Sequence, residues 1–125
     1  MHLRFELFVN DIEKSISFYR DILRFIEMPN NGNYHLMYRG DVKIGIGSGD
    51  KLPENHYFRP EVVTNYRKGI GVEFVLEVEE IEEEYKYIQT KEYKIEAELK
   101  KQEWGLTDFR LVDPDGYYIR ITSLN

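Results

Sequence analysis

Val9-Asn10-Asp11-Ile12 sits where one periodicity gives way to another. Before it, Phe5, Leu7 and Val9 alternate as in a strand with one buried face. After it, Ile12, Ile16, Tyr19 and Leu23 fall at helical spacing, a stripe that must pack on a sheet. Val78-Glu79-Glu80-Ile81 repeats the junction, with Val72, Phe74, Leu76 and Val78 leading in and Ile81, Tyr85 and Ile88 leading out. Val9 maps to Val78 and Ile12 to Ile81 with the same offset of 69 positions. A strand-helix unit repeated at half the chain length predicts two fused modules sharing one cavity.

Around these junctions the remaining elements fall into place. Asn10 or Asp11 caps a first helix of about three turns, because a short side-chain acceptor and early acidic residues suit the positive end of a helix. A short strand is expected near residues 25–28, and Asn30-Asn31-Gly32-Asn33 has turn composition. Residues 34–39 and 42–47 read as a hairpin across Arg39-Gly40-Asp41. Residues 48–69 form a connector with a short helical turn near 60–66; it carries His56-Tyr57-Phe58-Arg59, rather aromatic for a solvated loop. In the second half, a strand over 72–78, a helix over 81–91, a strand over 95–100 and a closing hairpin around Asp113-Pro114-Asp115-Gly116 are expected. The fold class is therefore α+β: two β-α-β-β-β modules, 1–47 and 70–125, pairing into a curved mixed sheet around a cleft in a single domain, helices outside.

Composition narrows the chemistry. At 125 residues one domain has room for a real core. With no cysteine, disulfides, thiolate nucleophiles and cysteine-based zinc sites are excluded. A net charge of −6 argues against nonspecific nucleic-acid binding. There is no signal-like or membrane-length apolar run, so the expectation is a cytoplasmic protein with no membrane partner. Ten tyrosines and seven phenylalanines are enough to line a pocket as well as a core.

Phe8-Val9-Asn10-Asp11-Ile12 leading into Ser17-Phe18-Tyr19-Arg20-Asp21-Ile22-Leu23, Gly71-Val72-Glu73-Phe74, Trp104-Gly105 with Asp108-Phe109, and Asp113-Pro114-Asp115-Gly116-Tyr117 together resemble the vicinal-oxygen-chelate superfamily. That group comprises glyoxalases, extradiol dioxygenases, and bleomycin- and fosfomycin-resistance proteins. The resemblance implies paired β-α-β-β-β modules, a homodimer and, in metal-dependent members, four His or Glu ligands from the opening and closing strands of each module. Those positions fall here on Arg4, a residue near Gly45, Glu73 and Arg120. Arginine has no lone pair to offer a metal, so the expectation is no metal site and no cofactor.

Strand alternation gives a second route to the same residues. With Phe5, Leu7 and Val9, then Val72, Phe74, Leu76 and Val78, then Ile119 and Ile121 facing the helices, Arg4, Glu6 and Phe8, then Glu73, Val75 and Glu77, then Tyr118, Arg120 and Thr122 face the cleft. Charges on a sheet face call for partners. Arg4, Glu73 and Arg120 either hold a ligand carboxylate or phosphate, or close into a structural Arg–Glu–Arg network; the two readings differ on whether an arginine keeps free donors. Glu6, Glu77, Trp104 and Tyr118 complete the expected ligand-binding set. His2, His35 and His56 share no ligand spacing, and Gly45-x-Gly47-x-Gly49 lacks the helix that a phosphate loop needs.

Two functions stand ahead of the rest. One is a metal-free small-molecule binder similar to the bleomycin-resistance branch. The other is a glyoxalase- or dioxygenase-like metalloenzyme with a displaced metal drawn from Glu6, Glu73, Glu77 and a histidine. A metal-independent isomerase with Glu73 as base ranks third, because a glutamate beside arginines is held ionised and is a poor base.

Overall fold

The computed structural model describes residues 1–29, 32 and 34–124. The turn expected at Asn30-Asn31-Gly32-Asn33 lies outside them except for Gly32. The chain is α+β and divides into two compact units, Met1–Lys68 and Gly69–Asn125.

The first unit runs β1 (Phe5–Val9), α1 (Ile12–Ser17), β2 (Ile26–Glu27), β3 (Tyr34–Arg39) and β4 (Val42–Ser48). Its sheet has the order β1-β4-β3-β2, with β1 parallel to β4 and the other pairs antiparallel. Asp11 is the cap of α1: its side chain accepts from the Lys14 N–H at 3.1 Å. The helix does not stay α-helical. Phe18–Ile22 form a π-helical turn, closed by the Leu23 N–H donating to the Phe18 carbonyl at 3.1 Å. The wider turn lets neighbours Phe18 and Tyr19 both go under, their rings edge to face at 4.9 Å. The periodic stripe foresaw Ile16, Tyr19 and Leu23 in this core and missed Phe18, because it assumed an unbroken α-helix.

Arg24 ends this helix in the left-handed region at φ 58°, as Glu92 ends its counterpart at φ 56°. Arg24 lies twelve positions after Ile12 and Glu92 eleven after Ile81, so the π-turn's extra residue is where the repeat loses one position of offset.

The connector is not a free linker. It folds onto the first unit through a 3-10 turn at Gly49–Lys51 and helix α2 (Pro60–Asn65). Gly49 is required here: a Cβ would stand 2.6 Å from Val63 Cγ1 of α2.

The second unit runs β5 (Glu73–Val78), α3 (Ile81–Thr90), β6 (Ala97–Lys101), β7 (Thr107–Val112) and β8 (Tyr118–Ser123), with sheet order β5-β8-β7-β6. β5 is parallel to β8, and the sheet thus repeats the first strand for strand. Glu82, Glu83 and Glu84 occupy the first turn of α3, where negative charge is favourable. Phe74, Ile81, Ile88, Phe109, Leu111, Ile119 and Ile121 form the core, each contributing roughly 1.5–3 kcal/mol of apolar burial. The closing hairpin turns as its composition predicts. Asp113 Oδ1 accepts from the Asp115 and Tyr117 N–H groups, both at 2.9 Å, and Gly116 takes φ +98°. Among the described residues no helix is long and apolar enough to cross a membrane.

Candidate functional site

Each sheet has a helix face and an open face, and the open faces carry the chemistry. In the first unit, β1 exposes Glu6 and Phe8 beside Gly45 and Gly47 of β4. Tyr34 of β3 lies opposite Gly47 and donates its hydroxyl to Glu6 Oε1 at 2.8 Å. Arg4 Nε approaches the same oxygen at 2.7 Å. Gly45 makes this possible, since a Cβ there would collide with the Glu6 carboxylate and the Tyr34 hydroxyl. Partial burial, then the hydrogen bond and charge of Glu6, push the Tyr34 phenol up, with Arg4 opposing. The aromatic connector closes over the end of this face. Phe8 meets His56 at 5.4 Å and Phe58 at 6.0 Å, and His56 Nδ1 accepts from the Phe58 N–H at 3.0 Å.

In the second unit, alternation puts Glu73, Val75 and Glu77 of β5 on the open face with Tyr118, Arg120 and Thr122 of β8. Asp108 and Arg110 of β7 join them in register, Arg110 directly opposite Arg120. Glu73 Oε1 lies 2.9 Å from Arg120 Nε and 3.8 Å from Arg110 Nη1. Arg110 is also held by Asp108, which receives Nε and Nη2 at 3.3 Å each, while Nη1 reaches the Tyr118 hydroxyl at 3.4 Å. Asp108 is buried and takes a further bond from Gln102 at 2.9 Å. Burial draws the Arg110 guanidinium down, but Asp108 and Tyr118 outweigh it and its pKa is raised.

Arg120 differs from Arg110. Its buried Nε is within ion-pairing distance of Glu73 but too poorly aligned to form a hydrogen bond. No other polar group among the described residues engages its guanidinium; its remaining neighbour is the ring of Trp104, 6.0 Å from Cζ to centroid. Trp104 sits in the β6–β7 turn, where Gly105 takes φ +96°, and its side chain is 57% exposed. Glu77 is exposed and lies opposite Thr122. Beyond Arg110, residues 97–100 of β6 and Gln102 border a surface concavity of about 570 Å³.

The structure therefore brings Glu73, Arg120 and Trp104 together, joins Tyr118 to Arg110, and joins Arg4 to Glu6. An Arg–Glu–Arg arrangement exists, but the second arginine on Glu73 is Arg110, whereas Arg4 is taken up by Glu6. Arg110 and Asp108 stand outside the expected set, and the alternation of β7 puts them on this face beside Arg120 and Thr122. Phe109 and Leu111 on the core side of β7 carry the signal that would have found them. Register also fixes the repeat: Gly45 lies opposite Glu6 as Arg120 lies opposite Val75, so the positions that the resemblance assigns to metal ligands hold Arg4, Gly45, Glu73 and Arg120. Among the described residues no three His, Asp or Glu side chains gather as a metal-binding group.

Known proteins place this architecture. No curated protein matches the sequence. Among solved structures, TioX from Micromonospora sp. ML1 superposes with a TM-score of 0.79 at 15% identity, covering 98% of both chains. A protein of unknown function from Agrobacterium tumefaciens str. C58 gives 0.77 at 26% identity, covering 96% of this chain and 90% of the other. Lactoylglutathione lyase from Agrobacterium tumefaciens gives 0.73 at 15% identity, covering 98% and 92%. At 15% identity the likeness is one of fold. The family model of the Glyoxalase/Bleomycin resistance protein/Dioxygenase superfamily matches residues 2–121, so with the doubled β-α-β-β-β unit and the Asp-Pro-Asp-Gly hairpin in place, the chain belongs to that superfamily.

Proposed function

We propose that the protein is a metal-free small-molecule binder that holds its ligand on the open face of the second unit through Arg120. One observation carries this reading: the Arg120 side chain is 25% exposed with its Nε turned to Glu73, and among the described residues its terminal nitrogens have no protein acceptor. Those terminal donors can hold a ligand carboxylate or phosphate through the planar guanidinium fork. Arg110, by contrast, is satisfied by Asp108 and Tyr118 and serves to shape the floor of the site. Trp104 supplies an exposed aromatic wall beside the free donors.

The donor set does not fit a divalent cation. Two of the four positions are arginines and one is a glycine, while the Glu73 carboxylate already lies between Arg120 and Arg110. Binding without chemical conversion is the function this arrangement supports, as in a sequestering member of the superfamily.

The test is calorimetric titration of a broad small-molecule panel in chelator, on the wild type and on Arg120→Ala. The expected result is a ligand whose affinity falls in the variant while the far-ultraviolet spectrum and unfolding transition persist. Retained affinity in the variant overturns the assignment, as does a stoichiometric transition metal in protein purified without chelator.

A further inference from the structure

We infer, resting on the reading of Arg120 as a ligand donor, that the ligand class is an aromatic monocarboxylate, its carboxylate on the Arg120 fork and its ring against Trp104. Three features of the second unit carry this. The free donors and the exposed indole lie side by side, with 6.0 Å between Arg120 Cζ and the ring centroid, so a group bound by one is within reach of the other. A flat ring next to its own carboxylate spans that gap, whereas a compact anion would leave the indole uncovered.

Charge decides between carboxylate and phosphate. Arg120 faces Glu73, and Arg110 faces Asp108, so both guanidiniums on this face are already balanced. Glu77 adds a negative charge on β5, and Lys100, in register with Asp108 on β6, offsets it at the other edge. No surplus positive charge is left for a dianion, and Glu73 repels one at close range. A monoanion can be held by directed hydrogen bonds on a locally neutral surface, because fork geometry rather than net field supplies the binding. Room for ring substituents is available one strand away, where Arg110, the cross-strand partner of Arg120, borders the concavity along β6.

Trp104 is the sole tryptophan of the chain, so its fluorescence reports this place alone. The full chain in chelator is titrated with 1-naphthoate, 1-naphthyl phosphate and cyclohexanecarboxylate. Expected are saturable quenching by naphthoate, about tenfold weaker calorimetric binding of cyclohexanecarboxylate, and phosphate ester binding weaker than naphthoate near pH 8. Arg120→Lys should weaken naphthoate by about tenfold or more, since an ammonium cannot reproduce the fork. Trp104→Ala, a change at an exposed turn, should weaken naphthoate toward cyclohexanecarboxylate and weaken the latter less, so that the difference between the two closes. Equal binding of ring and cyclohexane, tighter binding of the phosphate ester, or no binding of any probe overturns this inference and leaves the Arg120 reading to its own panel. Binding that is indifferent to Arg120→Lys and to Arg120→Ala overturns both.

Discussion

The two units present the same backbone positions on their open faces and fill them in opposite ways. In the first, Glu6, Gly45 and Leu36 form one cross-strand row and Phe8, Gly47 and Tyr34 the next. In the second, the equivalent rows are Val75, Arg120 and Arg110, then Glu77, Thr122 and Asp108. Glycines on the middle strand of the first face let Glu6, Tyr34 and Phe8 lean across it. Arginine and threonine at the same places in the second raise a charged network off the sheet. The register that makes the sheets equivalent is set by core-facing residues, so the open faces were free to diverge. One face became aromatic with an exposed carboxylate. The other became the place where a donor is held without an acceptor.

The contrast can be broken most sharply at Asp108. Asp108→Ala would leave Arg110 half-satisfied in a buried setting, and about 3 kcal/mol of stability should be lost in urea denaturation. A loss of a few tenths would show that the second face is not organised around that carboxylate.

Alkali should expose a second difference. Tyr93 and Tyr117, both in the second unit, are pushed up to about 12 from 10.0, by burial first and Asp113 second. A raised folded-state value favours the fold while the phenols keep their protons. Stability should thus be constant below about pH 10 and fall between pH 10 and 12, as followed by near-ultraviolet dichroism. A flat profile through pH 12 would contradict the burial.

Glu73→Ala should cost about 1 kcal/mol, because the carboxylate is about a third exposed and solvent screens its pairs with Arg120 and Arg110. A cost of several kcal/mol would instead indicate a sealed network. On the first face, Gly45→Ala should cost about 1 kcal/mol by displacing Tyr34 from Glu6, since only the movable ends of those side chains lie in the way. Gly47→Ala is the smallest change. Its Cβ would meet Phe8 at an ordinary 3.6 Å, and relief of strand glycine entropy should stabilise by about 0.5 kcal/mol. Equal effects at the two glycines would erase the distinction between them.

Much of this was legible in the chain because the helix faces obey local periodicities. The alternation that sends Leu7 and Val9 inward, and its echo at Phe74, told which side of each strand meets the helices and hence which charges stay outside, although Phe5 on the same side remains 39% exposed. The π-turn at Phe18–Ile22 was not legible, because a one-residue widening leaves the apolar spacing nearly intact. The pairing on the open faces was not legible either. Glu73 and Arg120 share one open face and Arg4 stands just before β1, yet their contacts follow from register and proximity: Arg110, opposite Arg120, joins Glu73, while Arg4 pairs with Glu6 two residues along its own segment.

Sequence by itself determined the doubled β-α-β-β-β architecture and the superfamily, since each rests on period, turn chemistry or residue type. Only tertiary structure decided which arginine is spent and which is free. That outcome turns on cross-strand register and on angles at a single carboxylate: Glu73 comes within 2.9 Å of Arg120 Nε without aligning to it, while Asp108 grips Arg110 with both oxygens.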